Sequence, residues 1–123
     1  MTAHDRPMFL TLWATPRSTS TAFEWMMRQR GDFECHHEPW NELYYYGEDR
    51  VSARDAHVEA RSGHNYPATW ELLSGVARSG RVFVKDFVYS VEHTLTGAML
   101  DEITHTFLIR DPERVVQGLA KHW

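Results

Sequence analysis

Residues 8–30 read MFLTLWATPRSTSTAFEWMMRQR. The run Met8 to Ala14 is apolar and bounded by Pro7 and Pro16, which fits a buried strand. From residue 18 to residue 30, Phe23, Met26, Met27 and Arg30 recur at helical spacing, and Gly31 follows as a stop. Between strand and helix stand Arg17, Ser18, Thr19, Ser20 and Thr21. A helix start carries unpaired N–H groups and a partial positive charge. Small polar residues there are ordinary caps. Four of them behind an arginine equally fit a cradle for phosphate or sulfate. The motif alone leaves both readings open. It does not contain the GxxxxGK[ST] pattern of a Walker loop.

Working outward, residues 32–37 (DFECHH) read as a second short strand. The polar, aromatic stretch from Glu38 to Pro67 reads as loop with short helical pieces. Residues 69–79 place Trp70, Leu73, Val76 and Ala77 on one helical face, with Thr69 as cap and Gly80 as end. Residues 81–89 (RVFVKDFVY) are rich in β-branched and aromatic side chains and read as the strongest strand. A short helix over 90–99 and a strand over 104–110 follow. Asp111 and Pro112 then open a final helix as cap and first helical residue. Strands alternating with helices predict βαβ units around a parallel sheet. Such sheets bind ligands beyond the carboxyl ends of their strands. The polar clusters at 16–21, 85–86 and 110–111 all fall at such ends, which argues for one shared site.

A chain of 123 residues suffices for one domain with a core, and its 42% hydrophobic and 24% charged content is ordinary for a globular protein. The net charge of −4 gives no global pull toward nucleic acid or anionic membranes, so an anion site must be local. The one cysteine, Cys35, excludes an internal disulfide framework and fits a reducing, cytoplasmic setting. The N-terminal apolar run is far shorter than the roughly twenty residues that span a bilayer. The last helix stops at Trp123 with no cap, proline or polar tail. The expectation is a truncated member of a longer domain.

Chemistry can be assigned to few residues. Lys85 ends a strand and can reach into a cleft; taken alone, it reads more readily as a solvated strand end or an ion-pair partner. Arg110 can clamp a phosphate bidentately or pair with Asp111. In CHHEPW (35–40), the spacing is wrong for HExxH, and adjacent strand histidines point to opposite faces. Glu38 is the better choice, as a general base on a substrate hydroxyl; its bland alternative is a loop carboxylate paired with Arg17 or Lys85. The tyrosines of LYYYG (43–47) either line an acceptor pocket or pack the loop down. His57, His64, His93 and His105 show no readable spacing.

TPRSTSTAFEWMM resembles the 5′-phosphosulfate loop of sulfotransferases that use 3′-phosphoadenosine 5′-phosphosulfate (PAPS). Pro16, Arg17, Ser18, Ser20 and Thr21 match that loop, and Thr19 stands at its glycine position. FLIRDPERVVQG (107–118) resembles the family's 3′-phosphate segment through Arg110 and Pro112, with Gly118 at its serine position. HHEPW is similar to a Glu-Pro element whose glutamate serves as base. VFVKDF is similar to the strand that ends in Lys-x-His, with Lys85 matching and Phe87 at the histidine position.

The resemblance spans residues 9–123, the N-terminal half of a family domain. It implies an α/β, P-loop-like three-layer fold with a central parallel sheet. It also implies sulfuryl transfer from PAPS to a hydroxyl or amine of a small-molecule acceptor, without a metal, nucleic acid or membrane. Arg17, Ser18, Thr19, Ser20 and Thr21 would hold the 5′-phosphosulfate and Arg110 the 3′-phosphate. Glu38, Lys85 and Arg17 would act on the reacting groups. Two other readings compete. A P-loop kinase or nucleotide hydrolase needs a Mg²⁺-binding acidic strand end, for which only Asp86 and Asp111 qualify. A non-catalytic remnant would expose a sheet edge and an apolar face around Val115, Val116, Leu119 and Trp123, leading to a homodimer or to aggregation.

Overall fold

The computed structural model describes residues 6–15, 20–109 and 111–120. Four strands form one all-parallel sheet: β1 (Met8–Ala14), β2 (Glu34–His37), β3 (Arg81–Asp86) and β4 (Thr104–Leu108), in the order β2-β3-β1-β4. The helices are α1 (Ser20–Arg30), α2 (Pro39–Tyr46), α3 (Tyr66–Ser79), α4 (Gly97–Glu102) and α5 (Pro112–Ala120), with a 3₁₀ turn at Val88–Ser90. The protein is therefore α/β, as the alternation of apolar runs predicts.

The two central strands are buried on both faces. On β3, Val82 and Val84 face one way, toward Leu73, Trp40, Tyr66 and Phe9, while Phe83 faces Leu12 and Met27 on the other side. Helix α1 covers the Phe83 face; α2, α3 and the segment through Val91 and Ile103 cover the Val82 face. Helices on both faces make three layers. Leu73 and Phe83 have no exposed surface. Each such side chain contributes about 1.5–3 kcal/mol of transfer free energy.

The connections explain where a site can form. From β1 the chain crosses by α1 over one face to β2; from β3 it crosses over the opposite face to β4. Right-handed crossovers in opposite directions require opposite faces. The chain therefore leaves the carboxyl ends of neighbours β1 and β3 toward different sides, opening a crevice between them. The register aligns these ends: Leu12 lies beside Lys85, Trp13 beside Asp86, and His37 beside Lys85.

Several boundaries differ from the sequence reading. Helix α3 starts at Tyr66, capped by the Asn65 side chain, which accepts from the Ala68 amide at 2.8 Å. Asn65 precedes Pro67 and so supplies both cap and stiff entry, ahead of Thr69. Strand β3 ends at Asp86, because that carboxylate takes the next backbone donor and bends the chain into the 3₁₀ turn. The expected helix over 90–99 is this turn plus α4. Residues 39–46 form one of the short helices expected within the 38–67 stretch. On α1 the buried stripe is Ser20, Glu24 and Met27, while Met26 is half exposed. Gly31 does end α1, at φ 77°, a left-handed conformation that glycine adopts without a Cβ clash.

Among the described residues, β2 and β4 are the sheet's edges, and Phe107 and Ile109 on or beside β4 are largely exposed. Val116 is exposed as expected; Trp123 and the side chains of Val115 and Leu119 lie outside the described residues. No described helix is long and apolar enough to cross a membrane.

Candidate functional site

The Lys85 ammonium lies 2.5 Å from Glu38 Oε2, with the lysine side chain 4% and the glutamate 19% exposed. Backbone geometry sets this pair. Glu38 extends the β2–β3 ladder by one bond, its amide donating to the Lys85 carbonyl at 2.8 Å. The chain then turns sharply, with Glu38 at φ 47°, ψ 49°. It is the one described non-glycine residue with positive φ. A side chain in that region costs roughly 1–2 kcal/mol. Strain of this kind is tolerated where surrounding contacts hold it, and it gathers at functional sites. Pro39 starts α2, where its missing N–H costs nothing.

Asp86 supplies the cap that Glu38 does not. Its Oδ2 accepts from the Trp40 amide at 2.7 Å, and its Oδ1 accepts from the Phe87 amide at 2.8 Å and the Ser90 hydroxyl at 3.1 Å. One carboxylate on β3 thus fixes the start of α2 and the 3₁₀ turn. Burial pushes the Asp86 carboxyl up to about 7, against the lowering effect of its three hydrogen-bond donors.

A second chain of contacts reaches Glu38 from α1. Glu24, almost fully buried, accepts from His37 Nδ1 at 2.7 Å and from Arg28 Nε at 3.1 Å. The other ring nitrogen, His37 Nε2, is 3.2 Å from Glu38 Oε2. On the far side, Asn41 Nδ2 donates to Glu38 Oε1 at 3.2 Å, and the Tyr89 hydroxyl donates to Asn41 Oδ1 at 2.7 Å. Both carboxylate oxygens of Glu38 are therefore oriented.

This assembly forms one wall of an open cleft of about 550 Å³, lined by His37, Glu38, Asn41, Tyr45, Tyr46, Arg54, Arg61, Phe87 and Tyr89 among others. Phe87 and Tyr89 stack at 5.7 Å, and Arg54 covers the Tyr45 ring at 3.9 Å. The lining charges are matched: Arg61 pairs with Glu42, and Arg54 with Asp55. Burial raises the Tyr89 hydroxyl above its ordinary range, so it remains a donor at neutral pH.

Of the residues expected from sequence, Glu38 and Lys85 come together, and the bland alternative of a Glu38–Lys85 pair holds at the same time. Ser20 is buried at the first position of α1 and Thr21 is exposed beside it. The first turn of α1 holds no acidic residue to oppose an anion. Pro16, Arg17, Ser18, Thr19 and Arg110 lie outside the described residues. The tyrosines divide: Tyr45 and Tyr46 line the cleft, while Tyr44 packs edge-on against Tyr45 and Tyr89. Among the described residues, no group of three or more His, Cys, Asp or Glu side chains is arranged to hold a metal ion. Cys35 is partly buried, which raises its thiol and leaves it a weak nucleophile.

Sequence reasoning missed Glu24, His37 as a cleft residue, and Asn41. Glu24 had one available signal, since it lies on the same helical face as Ser20 and Met27. No protein-family model matches the chain, and no curated protein is significantly similar to it.

Proposed function

We propose that this protein is a sulfotransferase that moves the sulfuryl group of PAPS to a hydroxyl or amine of a small acceptor. The observation that carries the reading is the Lys85–Glu38 pair. It lies at the carboxyl edge of the sheet, beside the β1–β3 crevice, and one of its members faces the cleft. A carboxylate and an ammonium in contact at that point can serve both ends of one transfer, the acceptor proton and the charge that develops on the leaving oxygen.

When bound, the donor would supply the activated sulfuryl group. One feature of the described residues supports an anion of this kind. Helix α1 follows β1 in the chain and its first turn is free of acids, so the exposed Thr21 and the first-turn amides would meet a phosphosulfate there. Lys85 lies at the carboxyl end of β3, with its charge balanced by Glu38. Arg17, Ser18, Thr19 and Arg110 are assigned by sequence, the first three to the phosphosulfate and Arg110 to the 3′-phosphate. Glu38 lines the cleft with its Oε1 held by Asn41, and there it orients the acceptor and takes its proton. The cleft, walled by Phe87 and Tyr89, holds the acceptor. Catalysis of this type works mainly through position and charge.

The same geometry weighs against a Mg²⁺-dependent kinase or hydrolase. Of the two acids such an enzyme could use, Asp86 is fully buried and already accepts from two backbone amides and a hydroxyl, and Asp111 accepts from the Glu113 amide at 3.0 Å as a helix cap. The test is PAPS turnover by wild type and Arg17→Ala. Loss of turnover in Arg17→Ala with an unchanged unfolding midpoint supports the assignment; an active Arg17→Ala protein overturns it.

A further inference from the structure

The cleft face of His37 carries a function that the Glu38 assignment alone leaves open. Glu38 Oε2 meets the Lys85 ammonium, and Oε1 accepts from Asn41 Nδ2. A proton delivered to this carboxyl needs a path onward. His37 Nε2 sits 3.2 Å from Oε2, and the imidazole is half exposed to the cleft. Its other nitrogen is pinned. Glu24 accepts from Nδ1 at 2.7 Å and is itself fixed by Arg28. A carboxylate only accepts, so Nδ1 carries its proton toward Glu24, and the neutral ring then presents a lone pair at Nε2. That lone pair faces a carboxylate oxygen. A proton that reaches this carboxyl during the transfer can be held between Oε2 and Nε2.

We propose that Glu38 and His37 act as a single base sharing one proton, with Glu24 as the positioning residue that sets the imidazole tautomer. This rests on the sulfotransferase reading. In the transfer, the acceptor O–H bond breaks and its electron pair forms the new S–O bond. The S–O bond to the 5′-phosphate breaks, its electrons leaving on the phosphate oxygen. The proton goes to Glu38, is shared with His37 Nε2, and departs to water from the exposed ring. The charged groups facing His37 are Glu24 and Arg28 from α1, Glu38 after β2, and Lys85 of β3 through Glu38.

Two measurements test this. The first is ¹⁵N NMR of the histidine rings in wild type and Glu24→Gln. The neutral His37 ring of the wild type is expected to be the Nδ1–H tautomer, and Glu24→Gln should return it to a mixture. An Nε2–H ring in wild type, or a ring indifferent to Glu24→Gln, overturns the proposal whatever the enzyme does. The second is release of sulfate from PAPS across a pH series, with water as acceptor, in wild type, Glu24→Gln and His37→Gln. His37 is half exposed, so His37→Gln guards against loss of fold in the Glu24 variant. Both variants should lose about tenfold or more in kcat. Their affinity for adenosine 3′,5′-bisphosphate should stay within about twofold, because neither residue is assigned to the nucleotide. In His37→Gln the acid limb of the profile should move to lower pH. Unchanged kcat and profile in both variants, with an active wild type, overturn the shared base alone. A wild type that binds no nucleotide and leaves PAPS intact overturns the sulfotransferase reading, and the shared-base role with it.

Discussion

Lys85 and Glu38, 47 positions apart in the chain, meet at 2.5 Å because each ends a strand of the same parallel ladder. The Glu38 amide bonds the Lys85 carbonyl, so backbone register brings the two side chains to one place. The lysine is nearly sealed from water and the glutamate is not, which makes the pair asymmetric.

That asymmetry predicts the response to mutation. Glu38→Gln removes the charge partner of a buried ammonium. Loss of one partner costs roughly 3–5 kcal/mol in fully buried pairs. Since Glu38 keeps contact with the cleft, about 2–3 kcal/mol is expected here, read from urea unfolding. Glu38→Gln combined with Lys85→Met should regain most of that loss. If the double variant is as unstable as the two single losses added together, the pair is not coupled.

Asp86 predicts a pH dependence with a definite sign. Its folded-state value of about 7 stands above the ordinary 3.8. The folded state therefore holds this proton where the unfolded chain has lost it. The group's contribution to stability is complete below the ordinary value and declines as pH rises toward 7, by at most about 1.4 kcal/mol per pH unit. Above 7 it is flat. Asp86→Asn should remove this slope from urea-unfolding data between pH 4 and pH 8. The variant should also lose about 1–3 kcal/mol of stability, since its amide nitrogen must face a backbone N–H. Parallel pH curves for wild type and variant would contradict the assignment.

Tyr66 predicts a smaller, local loss. Its buried hydroxyl donates to the Ser90 carbonyl at 2.6 Å, and its ring stacks on Trp40. Tyr66→Phe keeps the stack and strips the carbonyl of its donor. Destabilisation of about 1–2 kcal/mol is expected by chemical denaturation. A change under about 0.5 kcal/mol would show that the hydrogen bond contributes nothing net.

Much of the fold was legible because its signals are local. β1 is an apolar run, β3 is rich in β-branched residues, and Gly31 and Gly80 end helices where expected. The strand-end rule brought Lys85 to the site, and the Glu-Pro turn brought Glu38. What escaped depends on contacts distant in sequence. Residues 39–46 form a helix whose cap is Asp86, on another strand, so no cap signal precedes it in the chain. Glu24 reads as one more charge on an amphipathic helix until His37 is seen against it. Met26 reads as a core residue by spacing, but the buried stripe turns toward the Glu24–His37 contact and leaves it half exposed.

The proposed transfer requires a PAPS-type nucleotide site at the carboxyl edge of the sheet. Thermal unfolding with adenosine 3′,5′-bisphosphate, against ADP and AMP, tests it most directly. Ligand at 100 times its dissociation constant adds about 2.7 kcal/mol to a folded protein that binds it. For a domain of this size the midpoint should rise on the order of ten degrees. That rise is expected with the 3′,5′-bisphosphate and not with ADP or AMP. A cooperative transition that responds to none of the three, or equally to all, would contradict it.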